Sequence, residues 1–559
     1  MNKTEKIWVA VLVAALLGYV FLQMRRPEQP PAEPAPQAQA QAAPKPAEAT
    51  AAPAAQPKPA APAQPVVPLA YETLANDKVT LSFANHGVRL TRAELKDYPA
   101  ENTEGAAPVV MEPGHLLDLD IPGEANPLVY ALDKRDDRTL VATAPLSDGT
   151  VLTRTVTLDD AYALTVKDSF LAPADRTLPA YTFNAGRCLL PELGNEVLGA
   201  DLMAAGESEA EHFEGHLGDI LGAPSAFLGC GTTSDPTGVP LSKRADPVPN
   251  QAWVALKSRF FVTLTQPQEP AAVTLAVARE NRQDRLHINQ VSATMERPAL
   301  QLRAGQAQTV DTRLYVGPKE YSRLADFGAG AKDVMDFGWF GWFRWICALL
   351  LWVLNAFHAL IPNYGVAIIL LTLVVRIVFW PLTHKSTVAM RKMTAIQPQM
   401  KEIQAKFKDN PQKVQQETFK LYRENKVNPF SSCLPMLIQI PIFIALFIVL
   451  RSAVELRFAG FLWISDLTQP ENLFAGILPV PLNILPILTA VTMGLQTHLS
   501  PSTGDPAQKR MMTWMMPIMM LFFFYSMPSA LCLYWTVSQA LSILQIWHIQ
   551  RTTAAAPAK

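Results

Sequence analysis

The stretch Val366–Lys385, VAIILLTLVVRIVFWPLTHK, is long and apolar enough to cross a bilayer, yet it carries Arg376 inside it. A guanidinium at membrane depth costs roughly 2.5 kcal/mol or more, depending on how far it can reach toward water. Thr372 sits one helical turn earlier, on the same face. Two readings compete. In one, Arg376 snorkels: Thr383 lies about 10 Å further along a helix, so the charged head reaches the nearer interface. In the other, Arg376 faces a water-accessible cavity between helices.

A chain of 559 residues is too long for one core. Its charged fraction of 17% suits a protein that is partly in a membrane. The net charge of −1 hides an asymmetry. Residues 71–330 hold 23 Lys/Arg against 35 Asp/Glu, whereas residues 384–428 hold 10 against 4. Basic loops beside spans stay in the cytoplasm, so the acidic and basic regions belong on opposite sides. The five cysteines have no metal-like spacing. Cys347, Cys433 and Cys532 fall in apolar runs and read as packing residues. Cys188 and Cys230 could pair if the acidic region is exported.

Ile7–Met24 is an apolar run of 18 residues preceded by Lys3 and Lys6, either a secretory signal or an uncleaved anchor; its length favours the anchor. Residues 27–68 hold 13 prolines, which precludes a packed core and gives an extended tether. From Tyr71 the pattern becomes period-two: Val79, Leu81, Phe83; Val151, Thr153, Thr155, Thr157; Phe261, Thr263; Val273, Leu275, Val277. Turn signals separate these runs, so a large β-sandwich is expected. It offers no chemistry: His212 and His216 lack a third ligand and read as surface residues. Gly328–Lys332 lacks the spacing of a phosphate loop.

Trp339, Phe340, Trp342, Phe343 and Trp345 cluster beside Arg344, as in a helix lying flat at an interface. Residues 346–382 are longer than one span needs and are broken at Ile361–Gly365. Two spans would put the basic loop beside the acidic domain, so one span with a long entrance leg is expected. The basic loop reads as an antiparallel helix pair. Met393, Ile396, Met400, Ile403 and Phe407 form its apolar seam, with Lys401, Lys406, Lys408, Lys413, Lys420 and Arg423 outside. Pro411 suits the start of its second helix. Four further spans follow. The one at Met511–Met527 is short, with seven methionines in 17 residues.

No nucleotide, metal or nucleophile constellation emerges, and no cofactor is expected. What remains is a bundle with polar or amphipathic residues at depth: Thr372, Arg376, Gln439, Gln496, Tyr534, Trp535 and Ser538. Such residues face a bundle interior or a wet cavity. The methionines beside them are adaptable in shape.

Val375-Arg376 to Pro381-Leu382-Thr383, Lys426-Val427-Asn428-Pro429 to Cys433, Gln439-Ile440-Pro441-Ile442-Phe443, Val454-Glu455-Leu456-Arg457, Trp463 to Leu467, Ser500-Pro501 to Pro506 and Pro528-Ser529 to Tyr534 together resemble the YidC/Oxa/Alb membrane-protein insertases. The match covers about Trp345 to Arg551; the anchor, tether and β domain resemble the family's Gram-negative form. The resemblance implies a multi-pass α-helical membrane bundle of six spans, with a five-helix insertase core and a large periplasmic β-sandwich. The expected organisation is an anchor (1–26), a periplasmic linker (27–70), the β-sandwich (71–330), an amphipathic interfacial helix (331–345) and a second span (346–383). A cytoplasmic hairpin (384–428), a third span (429–455), a periplasmic loop (456–477) and a fourth span (478–499) follow. A cytoplasmic loop (500–510), spans at 511–527 and 530–550 and a tail (551–559) complete the chain, with both termini cytoplasmic.

The resemblance further implies a non-enzymatic insertase and folding chaperone of the bacterial inner membrane, with a hydrophilic groove open to cytoplasm and lipid. Arg376 matches the groove arginine, with Thr372, Gln439, Gln496, Tyr534 and Trp535 lining the groove. Met393, Met400, Lys401, Lys406, Lys408 and Arg423 fall on the hairpin that meets substrates and ribosome. The implied partners are nascent membrane proteins, the Sec translocon (SecYEG, SecDF), ribosome and signal-recognition machinery, and anionic lipids. After Ile549 only Arg551 and Lys559 are basic, which argues against strong ribosome binding through the tail. A secondary transporter would also use intramembrane Arg and Gln, but it usually carries internal repeats, and none is visible between the halves.

Overall fold

The structure is a computed structural model that describes residues 68–554, apart from 190–197, 215–241, 245, 283–284, 339, 409, 426–433, 476, 478–480 and 500–505. The anchor and nearly all of the tether lie outside the described residues, as do His216, Cys230 and Cys433.

Alternation in the acidic region produces strands. Tyr71–Ala75, Val79–Ala84, Leu90–Pro99 and Pro108–Met111 form a four-stranded antiparallel sheet with Val79, Leu81 and Phe83 buried. A fourteen-stranded sheet holds most of the remaining strands up to Ala307–Pro318. Tyr181–Leu189 lies over Val248–Lys257 and Phe261–Pro267 without pairing to them, so the sheet forms both layers of a sandwich.

The strand Val151–Leu158 buries Leu152, Arg154, Val156 and Leu158, leaving Thr153, Thr155 and Thr157 more exposed. Arg154 is wholly buried. Its Nε and Nη2 donate to the two carboxylate oxygens of Asp168, its register partner, at 2.6 and 2.9 Å. Its Nη1 donates to the Gly87 and Leu117 carbonyls. A charge is tolerated there because it is paired and hydrogen-bonded.

His212 is not the surface residue expected. Its Nδ1 lies 2.9 Å from Asp201 Oδ1 and its Nε2 lies 3.6 Å from Asp336. The buried Lys257 meets the same Asp201 oxygen at 2.9 Å and donates to the Val334 carbonyl. Arg344 donates to the Gly338 carbonyl and pairs with Asp333 and Glu209. These charges tie the chain leaving the sandwich to its sheet.

That chain forms helix α1, Tyr321–Phe327, and then a single 3-10 turn, Ala331–Met335. The amphipathic helix expected at 331–345 starts later and runs further: α2 is Gly341–Leu360. Phe343, Cys347, Leu350, Leu351 and Leu354 form its buried face, while Trp342, Trp345, Leu349 and Trp352 form an exposed one. The single long span expected after it is likewise two helices. Pro362 disfavours helical geometry in the residue before it, and the Asn363 side chain caps the next helix by accepting from the Val366 N–H at 3.1 Å. That helix, α3, is Tyr364–Ala395, 32 residues or about 48 Å.

Helices α4, Gln397–Lys406, and α5, Pro411–Glu424, make the hairpin, with Asn410 capping α5 through the Lys413 N–H. Ile396 and Leu421 are buried at its seam, packed by Met393, Met400, Ile403 and Tyr422. Lys401, Lys406, Lys408 and Arg423 are exposed. Helices α6, Leu434–Ser452, α7, Ile484–Leu499, α8, Pro506–Phe524, and α9, Ser529–Ala554, complete the chain.

Helix α7, with 16 residues, is short, as is the apolar part of the methionine-rich α8, which follows Lys509 and Arg510. Where a helix was expected from Leu478, it begins at Ile484, after Pro481. The Glu471 carboxylate caps it by accepting from the Ile484 and Leu485 N–H groups. Among the described residues, Gly341–Leu360, Tyr364–Ala395 and Ser529–His548 are long and apolar enough to cross a membrane. The apolar segments Gln439–Ser452, Ile484–Leu499 and Thr513–Phe524 are shorter.

Two outcomes test these interior charges. Asp168→Asn leaves Arg154 uncompensated and is expected to cost about 3–5 kcal/mol, read as a lower midpoint in thermal unfolding of the purified protein. Burial pushes the His212 pKa down, but the hydrogen bond and charge of Asp201 more than offset this, so it is raised overall. His212 protonation therefore stabilises fully below its unfolded value of about 6.5, and the gain is lost as pH rises through the folded value. The melting difference between wild type and His212→Gln should be larger near pH 6 than near pH 9; an equal difference at both would refute the assignment.

Candidate functional site

Helix α9 runs against α3 and α7 and touches α6. Its first turn is set by the loop between α6 and α7: the Ser529 N–H donates to the Gln469 carbonyl and the Ala530 N–H to the Leu467 carbonyl, both at 2.9 Å. Two of the helix's orphan donors are thereby satisfied. The same loop is held by the sandwich. Arg457 donates to the Pro99 and Ala100 carbonyls, Asn102 to the Ser465 carbonyl, and Arg259 to the Arg451 and Thr468 carbonyls. Phe461 packs so closely over Gly365 that a Cβ there would lie 2.1 Å from its ring.

So placed, α9 turns a polar face into the bundle. Tyr534, Ser538, Gln539, Ser542 and Gln545 are all buried. Gln439 of α6 donates from Nε2 to Tyr534 Oη at 2.9 Å. Ser538 stands one turn on from Tyr534, on the same face of α9. Arg376 of α3 donates from Nε to Ser538 Oγ at 3.0 Å and from Nη2 to the same oxygen. Two hydrogen-bonded pairs, Gln439–Tyr534 and Arg376–Ser538, thus tie α6 and α3 to adjacent turns of α9. Further along, Gln545 Nε2 donates to Thr383 Oγ1 at 2.8 Å, and the Thr489 and Thr536 hydroxyls meet at 2.7 Å.

Arg376 is half-buried, and among the described residues no carboxylate lies within ion-pair distance of it. Its partner is a neutral hydroxyl. Of five guanidinium N–H donors, the Ser538 oxygen takes two.

The other expected groove residues are placed differently. Thr372 is wholly buried and its hydroxyl donates to the Ile368 carbonyl at 2.7 Å, so it is satisfied within α3. Trp535 packs into an aromatic cluster, its ring centroid 5.0 Å from Phe443 and 5.6 Å from Phe524. That cluster lies one turn beyond Gln439, on the side of the loop after α6. Gln496 is half-buried on α7, two turns from Thr489 on the same face. The Gln545–Thr383 and Thr489–Thr536 pairs were not anticipated; the spacing of Ser538, Ser542 and Gln545 at four and three along an apolar helix is the signal that could have found them.

A β-sandwich joined to a bundle of apolar helices with a hydrogen-bonded polar interior defines a membrane protein with an extramembrane domain. Two family models cover most of this architecture: "60Kd inner membrane protein" matches residues 356–556 and "YidC periplasmic domain" matches residues 207–353. The membrane protein insertase YidC of Pelobacter propionicus is 31% identical over 98% of this chain and 99% of its own length. That of Chlorobaculum tepidum is 38% identical over 54% of this chain and 51% of its own length. A solved structure, an active YidC insertase with its first transmembrane domain resolved, is 20% identical over 85% of this chain and 91% of its own, with a TM-score of 0.35. The chain belongs to the YidC family of membrane protein insertases.

Tyr534→Phe removes the oxygen that accepts from Gln439 and leaves a half-buried amide without that partner. A loss of about 1–3 kcal/mol is expected, read as a lower unfolding midpoint in detergent, and Gln439→Leu in the Tyr534→Phe background should recover part of it.

Proposed function

We propose that this protein inserts nascent membrane proteins into the bacterial inner membrane through a hydrophilic groove built around Arg376, Gln439, Tyr534 and Ser538. The observation that carries this reading is the guanidinium of Arg376, held by a neutral hydroxyl in a bundle that, among the described residues, offers it no carboxylate. A charge so placed is costly unless water or an anion reaches it. A hydrated groove meets that requirement. Polar flanks of a substrate enter the groove while its apolar segment passes sideways into lipid. No fuel is required for the apolar part, since burying each large apolar side chain gives about 1.5–3 kcal/mol. The protein lowers the barrier for the polar flanks.

In this reading six segments span the membrane: the N-terminal run, α3, α6, α7, α8 and α9. Both termini lie in the cytoplasm and the sandwich in the periplasm, with the α6–α7 loop and the Phe443–Phe524–Trp535 cluster closing the groove on that side. Helix α2 lies along the interface, because Trp342, Trp345, Leu349 and Trp352 make one exposed stripe opposite its buried face. The 16 residues of α7 reach about 24 Å, short of a hydrocarbon core of about 30 Å, so the bilayer thins beside the groove. The hairpin's exposed Lys401, Lys406, Lys408 and Arg423 suit anionic lipid and ribosome or signal-recognition machinery. Cooperation with the Sec translocon fits the same arrangement.

The test is insertion into proteoliposomes of a single-span substrate with an acidic or a neutral translocated tail. Arg376→Ala is expected to lower the acidic-to-neutral insertion ratio about tenfold, the equivalent of about 1.4 kcal/mol. An unchanged ratio would refute the electrostatic role.

A further inference from the structure

We infer that Ser538 is a positioning residue for substrate recognition: it holds one edge of the Arg376 guanidinium so that the other edge is presented to a single carboxylate of the incoming chain. This rests on the groove reading above. The inference starts from the geometry of the fork. A guanidinium is planar, with Nε and one N–H of Nη2 along one edge and both terminal nitrogens along the adjacent edge. Ser538 Oγ accepts from Nε and Nη2, which occupies the first edge. The terminal edge, Nη1 with Nη2, keeps three donors, and two parallel N–H groups there match the two oxygens of a carboxylate.

Three further features make Ser538 a fixture rather than an incidental contact. Its side chain is almost wholly buried. It stands one turn from Tyr534, which Gln439 of α6 holds at 2.9 Å. Its own carbonyl accepts from the Ser542 hydroxyl at 3.0 Å, which stiffens α9 at that turn. Restraining the guanidinium in advance reduces the rotamer freedom lost when a substrate binds. A neutral hydroxyl can do this without cancelling the positive charge; a carboxylate at 538 would hold the fork as well but would neutralise it. The ligand chemistry is therefore an Asp or Glu side chain in the translocated segment, bound bidentately and one at a time.

The experiment uses the full-length protein in proteoliposomes and the same pair of substrates, with acidic and neutral tails. Ser538→Asp is expected to lower the acidic-to-neutral insertion ratio about tenfold, matching Arg376→Ala. Ser538→Thr retains the hydroxyl and should restore the wild-type ratio. In the double variant Arg376→Ala/Ser538→Ala the ratio should fall no further than in Arg376→Ala alone, because loss of the hydroxyl acts only through that guanidinium. A wild-type ratio in Ser538→Asp, or an added loss in the double variant, would overturn the inference. So would equal loss for both tails, the result of a purely structural role. If Arg376→Ala itself leaves the ratio unchanged, the groove reading fails first, so the two failures are distinguishable.

Discussion

The desolvation of one guanidinium is the constraint around which the helical half of this protein is arranged. Arg376 sits in an apolar helix with no carboxylate beside it among the described residues, so its hydrogen bonds there go to a neutral hydroxyl rather than to an opposite charge. The sandwich solves the same problem differently. There Arg154 is wholly buried and is closed off by Asp168 and two carbonyls. One arginine is structurally satisfied; the other keeps donors unspent. The contrast within one chain is between a charge closed off by a carboxylate and a charge met, among the described residues, by a single hydroxyl.

The rest of the architecture keeps α3, α6 and α9 in the register that this arrangement needs. The loop between α6 and α7 starts α9 through Gln469 and Leu467 and starts α7 through Glu471. The sandwich grips the same loop through Arg259, Arg457 and Asn102. Between that loop and the two polar pairs lies the aromatic cluster of Phe443, Phe524 and Trp535. The sandwich thus bears on the groove indirectly, through backbone carbonyls of a folded loop. The charged cluster of Asp201, Lys257 and His212, with Arg344 beyond it, fixes the chain that enters α2.

Much of this was legible in the sequence, for reasons that can be stated residue by residue. Alternation at Val79, Leu81 and Phe83 gave a strand and its buried face, because a strand's period is two. At Val151–Thr157 it gave the strand but could not say which parity was core; an arginine among the candidates pointed the wrong way, since its partner Asp168 lies on another strand. Pro362 and Asn363 carry a helix break that is visible in the sequence, but the sidedness of the charged regions favours one span over it. His212 read as a surface residue because its two partners, Asp201 and Asp336, come from other segments of the chain.

The sequence by itself determined that a charge stands within a long apolar segment, and that an acidic region precedes that segment and a basic one follows it. These are matters of composition and order along one chain, where local chemistry suffices. Only the tertiary structure decided which groups answer Arg376. Ser538 is 162 positions away, and Gln439 and Tyr534 are 95 apart. Thr372, one turn from Arg376, turned out to be spent on its own helix, and Trp535 on aromatic packing. A hydrogen bond between helices depends on their rotation and register, which are set by packing and by the loop that starts α9, and no local pattern encodes either.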